Sequence, residues 1–166
     1  MLLNSKSIAY LGVLLGLNQL FIILSSIIET NTIILFAAAA LLIGVVVVEF
    51  GGKSGIAFYI ASCLLGFFLT FNKIEFITYI LFFGLYSIVK HILEIKINNK
   101  QLLYALKIFY FNISLILMYF IIKAFIPFNL VWWLIIIAQA LFVLYDYAFT
   151  IFITSYVNNI KPKIKR

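Results

Sequence analysis

Long apolar runs, separated by short polar breaks, account for almost the whole chain. Each break contains Gly, Pro, Asn or charged residues, which end helices and form turns. Each run is close to the roughly 20 apolar residues that a helix needs to cross a hydrocarbon layer about 30 Å thick. Because a chain in lipid must satisfy its own backbone polar groups, these runs are predicted to be helices. The six runs are Ile8–Ile28, Thr32–Val48, Ser54–Phe71, Ile74–Leu93, Leu102–Ile126 and Leu130–Val157.

The composition favours the same class of protein. Of the 166 residues, 66% are hydrophobic and 10% are charged, whereas ordinary globular chains are about 25% charged. The six runs leave no room for a soluble catalytic domain, a nucleotide-binding domain or a folded receptor head. We therefore predict an all-α polytopic membrane protein in which residues 1–166 form one compact bundle of six transmembrane helices.

The Lys and Arg residues predict the orientation of this bundle, because cytoplasmic loops carry an excess of them. With the N-terminus inside, ten of the twelve basic residues lie on the cytoplasmic side, and only Lys73 and Lys123 lie outside. Both termini are then cytoplasmic, and the net charge of +7 is a topology and anionic-lipid signal rather than a nucleic-acid one. The abundance of Lys, Ile, Phe and Asn is typical of AT-rich bacterial genomes, so we expect a bacterial plasma membrane. The ten inner residues are Lys6, Lys53, Lys90, Lys96, Lys100, Lys107, Lys161, Lys163, Lys165 and Arg166.

The first run carries a face of small residues. Ala9, Gly12 and Gly16 recur at spacings of three and four, which places them on one side of a helix. Helices in lipid attract one another largely through close backbone approach, so such a face predicts that another helix packs there. The neighbour is either a helix of the same chain or a helix of a partner subunit.

Two polar residues, Asn18 and Gln19, lie in the middle of the same run, away from the small face. Polar groups at that depth need hydrogen-bond partners. They either bond another helix or line a polar cavity, and the sequence does not favour one over the other.

The three short loops predicted to face outward carry polar and aromatic residues. An aromatic rim over polar groups is typical of a small-molecule pocket, although Trp132 and Trp133 are also typical of the aromatic belt at a membrane interface. We predict that a substrate would bind at this rim, near the outer ends of the helices. The candidate substrate-binding residues are Glu29, Asn31, Asn72, Lys73, Tyr79, Asn129 and Trp132.

One carboxylate, Asp146, lies within the sixth run, about as deep as Lys107 lies within the fifth. An unpaired carboxylate there would be costly. We predict that Asp146 pairs with Lys107 or Lys90, or accepts hydrogen bonds from Tyr residues. We expect this contact to hold helices together rather than to relay protons. His91 lies close to the polar loop and is expected to be interfacial.

Enzyme functions are disfavoured by the residues the chain contains. Gly52-Lys53-Ser54 resembles the end of a phosphate-binding loop, but the position that needs the first Gly holds Val47. One His and one Asp cannot build a usual multi-ligand metal site. A single cysteine, Cys63, excludes an intrachain disulfide. We expect no catalytic site, no metal and no cofactor.

A six-helix bundle with both ends inside, a small-residue face on its first helix and short outer loops resembles the S component of energy-coupling factor (ECF) transporters. In that family, which captures vitamins and metals in bacteria, an alanine-rich small face near the start contacts a transmembrane coupling subunit. The matching positions here are Gly12 and Gly16, with Ala9 one turn earlier and glycine in place of alanine. The resemblance implies a ligand under the first, third and fifth loops, toppling of the bundle, and paired ATPases as the energy source. The loops that match are Glu29–Asn31, Phe71–Glu75 and Ile126–Asn129.

Two other functions are compatible with the same outline. Bacterial rod-shape-determining membrane proteins are similar in size and span number, act as scaffolds for cell-wall synthesis and carry no substrate. A stand-alone transporter or assembly factor is a third interpretation. A carrier requires a cavity with convergent polar groups at the outer loops, whereas a scaffold requires a filled interior and a contact surface elsewhere.

Overall fold

The computed structural model describes residues 5–125 and 131–164, and these residues form helices and short connections without any strand. Six of the helices are long and apolar enough to cross a membrane, which confirms the prediction of six candidate spans and indicates a multi-pass membrane protein. They are α1 (Ser5–Ile27), α2 (Thr32–Phe50, preceded by a 3-10 turn at Glu29–Asn31), α3 (Gly52–Leu69), α4 (Lys73–Lys96), α5 (Lys100–Phe125) and α6 (Trp132–Ile160).

Several helices extend beyond the apolar runs that predicted them. α1 begins at Ser5 rather than Ile8, and α4 continues to Lys96 rather than ending at Leu93. Helical hydrogen bonding continues into the polar flanks because Lys, Glu and Gln are good helix formers. The predicted junction between the fifth and sixth runs, at 126–130, lies outside the described residues.

The chain divides into two compact units, an N-terminal unit that ends at Ile92 and a C-terminal unit that begins at Leu93. The division falls within α4. In the N-terminal unit, α1 contacts both α2 and α3, and α2 also contacts α3 and the middle of α4. The C-terminal unit contains the end of α4 together with α5 and α6. The expectation of one domain over the whole chain stays a prediction.

A tight turn joins α2 to α3. Gly51 has a φ of 84°, a left-handed conformation that favours glycine. Four residues later, a Cβ on Gly55 would clash with a methyl carbon of Val47. The absence of a side chain at Gly55 therefore lets α2 and α3 approach closely.

The middle of α4 is irregular, with a π-helical turn at Tyr79–Gly84. Such a turn disturbs the regular pattern of backbone hydrogen bonds. The hydroxyl of Tyr59, on α3, donates to the carbonyl oxygen of Ile80 at 2.7 Å and so satisfies one acceptor inside the turn. The pattern of apolar runs along the chain does not predict this irregularity.

Candidate functional site

A cavity of about 320 Å³ lies at the predicted outer rim of the N-terminal unit. Residues of the 3-10 turn, the first turns of α2 and the first turns of α4 line it, so it adjoins the first and third loops. We refer to it as the rim cavity. Its lining residues are Glu29, Thr32, Ile33, Phe36, Glu75 and Thr78.

Helical spacing brings these side chains to one cavity. Thr32 and Phe36 lie one turn apart on α2, and Glu75 and Thr78 lie one turn apart on α4. Residues separated by three or four positions share a helix face. Asn72 caps α4 by accepting a hydrogen bond from the backbone N–H of Glu75 at 3.3 Å, which fixes the turn that carries Glu75.

The rim cavity is negatively charged. In the described part of the chain, the carboxylates of Glu29 and Glu75 have no ion pair and accept no side-chain hydrogen bond. The nearest cation along the chain is Lys73, whose ammonium donates to the carbonyl oxygens of Phe67 and Thr70 at the end of α3. Two carboxylates therefore face this space without a neutralising side chain among the described residues.

The inner wall of the rim cavity is apolar and aromatic. Phe36 is 2% exposed, and its ring centroid lies 5.6 Å from that of Tyr79 and 6.5 Å from that of Phe76. Such packed rings form a rigid apolar surface. The cavity thus combines carboxylates with a firm wall against which an apolar group can pack.

The structure distributes the sequence-predicted rim residues among several roles. Glu29 lines the cavity, whereas Asn31 is exposed in the adjacent turn and does not line it. Asn72 and Lys73 make the local contacts of a helix cap. Trp132 is 84% exposed at the first residue of α6, which fits an interfacial aromatic belt, and Asn129 lies outside the described residues.

Tyr79 lies in the polar core of the N-terminal unit, with no exposed surface. Its hydroxyl accepts a hydrogen bond from the side-chain amide of Asn18 at 3.0 Å and lies 2.7 Å from the hydroxyl of Ser62. Ser62 in turn donates to the side-chain oxygen of Asn18. The three side chains form a closed ring of hydrogen bonds that joins α1, α3 and α4. A substrate-binding role for Tyr79 stays a prediction, and its hydroxyl already has two protein partners.

The same core answers the question that the sequence left open for Asn18 and Gln19. The amide of Asn18 also donates to the backbone oxygen of Ala39 on α2 at 2.8 Å, and the amide of Gln19 donates to the backbone oxygen of Ser62 at 3.1 Å. Both residues therefore bond neighbouring helices. We refer to Asn18, Gln19, Ser62 and Tyr79 as the neutral core.

The small face of α1 is open in the structure. Ala9, Gly12 and Gly16 are all exposed, and a Cβ added at either glycine would meet no atom within 4 Å. No helix of the N-terminal unit covers this face. The helix predicted to pack on this face stays a prediction.

The C-terminal unit contains a charged cluster, whose members are Glu94, Lys107 and Asp146. The ammonium of Lys107 lies 3.1 Å from both carboxylate oxygens of Asp146, which confirms the predicted pairing of Asp146. It also lies 2.8 Å from a carboxylate oxygen of Glu94, a second partner that the sequence analysis missed. Lys107 and Asp146 are both buried.

A neutral contact joins α5 to α6 in the same unit. The amide of Gln139 donates to the side-chain oxygen of Asn112 at 2.9 Å. The rings of Phe111 and Phe142 are stacked, with centroids 4.5 Å apart. Long side chains therefore connect these two helices.

Sequence reasoning missed five lining residues of the rim cavity, which are Thr32, Ile33, Phe36, Glu75 and Thr78. Glu75 was recognised as a residue of the third loop, yet it was not included among the substrate-binding candidates. The available signal was the one-turn spacing of Thr32 from Phe36 and of Glu75 from Thr78. Which helices would face each other across a cavity is a tertiary property, and no spacing along the chain reveals it.

Comparisons of this chain with protein-family models, with curated proteins and with solved structures found no match. The six long apolar helices of the described chain indicate a helical, multi-pass membrane protein. The resemblance to S components remains a resemblance of size, span number, small-residue face and loop arrangement.

Proposed function

We propose that this chain is the substrate-binding membrane subunit of an ECF-type uptake transporter for a vitamin or other micronutrient. The observation that carries the proposal is the rim cavity, where polar groups of the first and third loops converge on a space of about 320 Å³. Small-molecule sites occupy about 300–1,000 Å³ and combine apolar walls with a few polar groups. A carrier requires such a cavity at its outer loops, and a scaffold does not.

The distribution of Lys and Arg supports an orientation in which both termini face the cytoplasm of a bacterium. In that orientation the rim cavity opens to the outside, where a nutrient is met. Delivery then requires the whole subunit to topple toward the cytoplasm, as the resemblance implies. The energy would come from paired ATPases through a transmembrane coupling subunit.

The small face of α1 is the surface proposed to contact the coupling subunit. The open space around Gly12 and Gly16 allows the backbone of a second helix to approach closely, and close approach is a main source of attraction between helices in lipid. A leucine at either position would hold the partner helix away.

The test is affinity purification of the tagged full chain from native membranes, followed by mass spectrometry of the recovered proteins. We expect a transmembrane coupling subunit and paired ATPases with the wild type, and at least a several-fold loss with Gly12→Leu or Gly16→Leu. Ala57→Leu is the matched control, because Ala57 is a small exposed residue on α3 rather than on α1. Equal recovery from all four proteins would contradict docking through this face, and recovery of no transport subunit at all would contradict the transporter.

The second candidate is a scaffold for cell-wall synthesis. The filled neutral core of the N-terminal unit favours it, because a scaffold needs a rigid interior rather than a binding site. Recovery of cell-wall synthesis or cytoskeletal proteins in the same purification would support this candidate over the carrier.

A further inference from the structure

We propose that the rim cavity takes a small organic cation, whose charge is held by the carboxylates of Glu29 and Glu75. This assignment rests on the proposed function, since it takes the rim cavity to be the substrate site. It adds the chemical class of the ligand, which neither the sequence nor the resemblance supplies.

The charge of the residues that line the rim cavity favours a cationic ligand. Both carboxylates line one cavity and have no cationic partner in the described part of the chain. A cationic ligand would make attractive contacts with both carboxylates, and charge-assisted hydrogen bonds are about twice as strong as neutral ones.

The side-chain donors and acceptors that line the rim cavity also favour a cationic ligand. The hydroxyl of Thr32 lies 3.0 Å from the backbone oxygens of both Ser25 and Glu29, so its proton is already used. Carboxylates accept and do not donate when ionised. The lining therefore offers mostly acceptors, with the hydroxyl of Thr78 as the remaining side-chain donor among the described lining residues. A ligand rich in donors, or carrying a positive charge, matches these side chains.

Size and apolar surface favour an organic cation over a metal ion. Among the described residues, no group of three or more His, Cys, Asp or Glu side chains could hold a metal ion, and Ca²⁺ takes about 6–8 oxygen ligands. A space of about 320 Å³ also exceeds what a bare ion fills. Ile33 and Phe36 supply an apolar wall, which would pack against the ring or methyl groups of an organic molecule.

The test uses three ring compounds of nearly equal size with the purified full chain in detergent. They are 1-methylnicotinamide, which is cationic, nicotinamide, which is neutral, and nicotinate, which is anionic. We expect 1-methylnicotinamide alone to raise the melting temperature, by about 2 °C or more at saturating concentration. Glu29→Gln and Glu75→Gln should each weaken its binding about tenfold or more. Thr30→Val, an exposed change in the same turn, should leave the binding unchanged.

Three outcomes would overturn the assignment. They are equal stabilisation by all three compounds or by none, an undiminished effect in both Gln variants, and stabilisation by CaCl₂ that matches that of the organic cation. The outcome of this ligand-binding test can be distinguished from the outcome of the affinity purification that tests the transporter. A preference for the cation without any copurifying coupling subunit would contradict the transporter alone, whereas a recovered coupling subunit with no preference for the cation would contradict only the ligand class.

Discussion

The buried polar contacts of the two units differ in whether they include charged groups. The N-terminal unit uses the neutral core, in which amides and hydroxyls of Asn18, Ser62 and Tyr79 close a ring between three helices. The C-terminal unit uses an ion cluster, in which Lys107 lies between Glu94 and Asp146. Neutral groups cost less to bury than charges do, so they can be used throughout a packed interior.

The share of buried residues in the most apolar stretches is 44% in α2 and 50% in α4, 22% in each of α1, α3 and α5, and 17% in α6. The helices that carry the neutral core are therefore not uniformly more covered than those that carry the ion cluster. In the N-terminal unit, small residues such as Gly55 let helices approach closely, and short polar side chains can then reach across. In the C-terminal unit, α5 and α6 are joined by long side chains, and a Lys is long enough to reach a carboxylate on the other helix. Both kinds of contact occur in the C-terminal unit, since the neutral bond between Gln139 and Asn112 joins the same two helices as the ion pair of Lys107 and Asp146.

Removing the central charge of the ion cluster should have the largest effect on stability. Lys107→Met leaves the buried carboxylate of Asp146 without its cation, and breaking a buried pair costs about 3–5 kcal/mol. We expect a loss of this size in the free energy of unfolding, measured by SDS titration and followed by the fluorescence of Trp132 and Trp133, which both lie in this unit.

Two further variants make this prediction specific. Lys100→Met removes an exposed charge from the start of the same helix and should change the free energy by no more than about 0.5 kcal/mol. Lys107→Met combined with Asp146→Asn should recover part of the loss, because no unpaired charge remains at that position. A Lys107→Met protein as stable as Lys100→Met would show that the ion cluster contributes nothing.

Opening the neutral core should cost less than breaking the ion cluster. Asn18→Ala deprives the backbone oxygen of Ala39 and the hydroxyls of Ser62 and Tyr79 of a partner. Each unsatisfied buried group costs about 1–3 kcal/mol, offset in part by relaxation of the others. We expect a net loss of about 2 kcal/mol by circular dichroism, against no change for the exposed Asn158→Ala. A larger loss than that of Lys107→Met would reverse the comparison between the two units.

Tyr79→Phe tests the neutral core with a smaller change. It removes one hydroxyl and keeps the ring, so the expected loss is about 1 kcal/mol. Tyr147→Phe, at a residue that is 64% exposed, is the matched control. If Tyr79→Phe abolished the binding of a cationic ligand without lowering stability, the hydroxyl would be a ligand contact rather than part of the core.

The smallest effect is expected for the neutral contact between α5 and α6. Gln139→Ala removes the hydrogen bond to Asn112, and such bonds between membrane helices are worth about 0.6 kcal/mol on average. Gln101→Ala, at an exposed position of α5, is the control. If Gln139→Ala lowered the free energy of unfolding as much as Lys107→Met, charged contacts would not be the stronger contacts between the helices of this unit.

The rim cavity shows where sequence reasoning stops. Glu29 was assigned to a substrate site because it lies in a short polar loop, and it lines the cavity. Asn72 and Lys73 were assigned for the same reason. Their side chains contact the helix ends on either side of their loop, and their role in binding stays a prediction. Polar residues in short loops serve both purposes, and only the contacts of each side chain separate a capping residue from a lining one.

Hydropathy along the chain was sufficient to determine the six helices and their approximate ends, because a helix that could cross lipid must be a continuous apolar run of about 20 residues. It was also sufficient to demand a partner for Asp146, because an isolated charge at that depth is too costly. Tertiary structure alone decided that Asn18 and Tyr79 bond each other, that Glu75 joins Glu29 at one cavity, and that the small face of α1 stays open. The physical reason is that burial depends on single residues and their neighbours along the helix, whereas these contacts depend on which helices lie side by side.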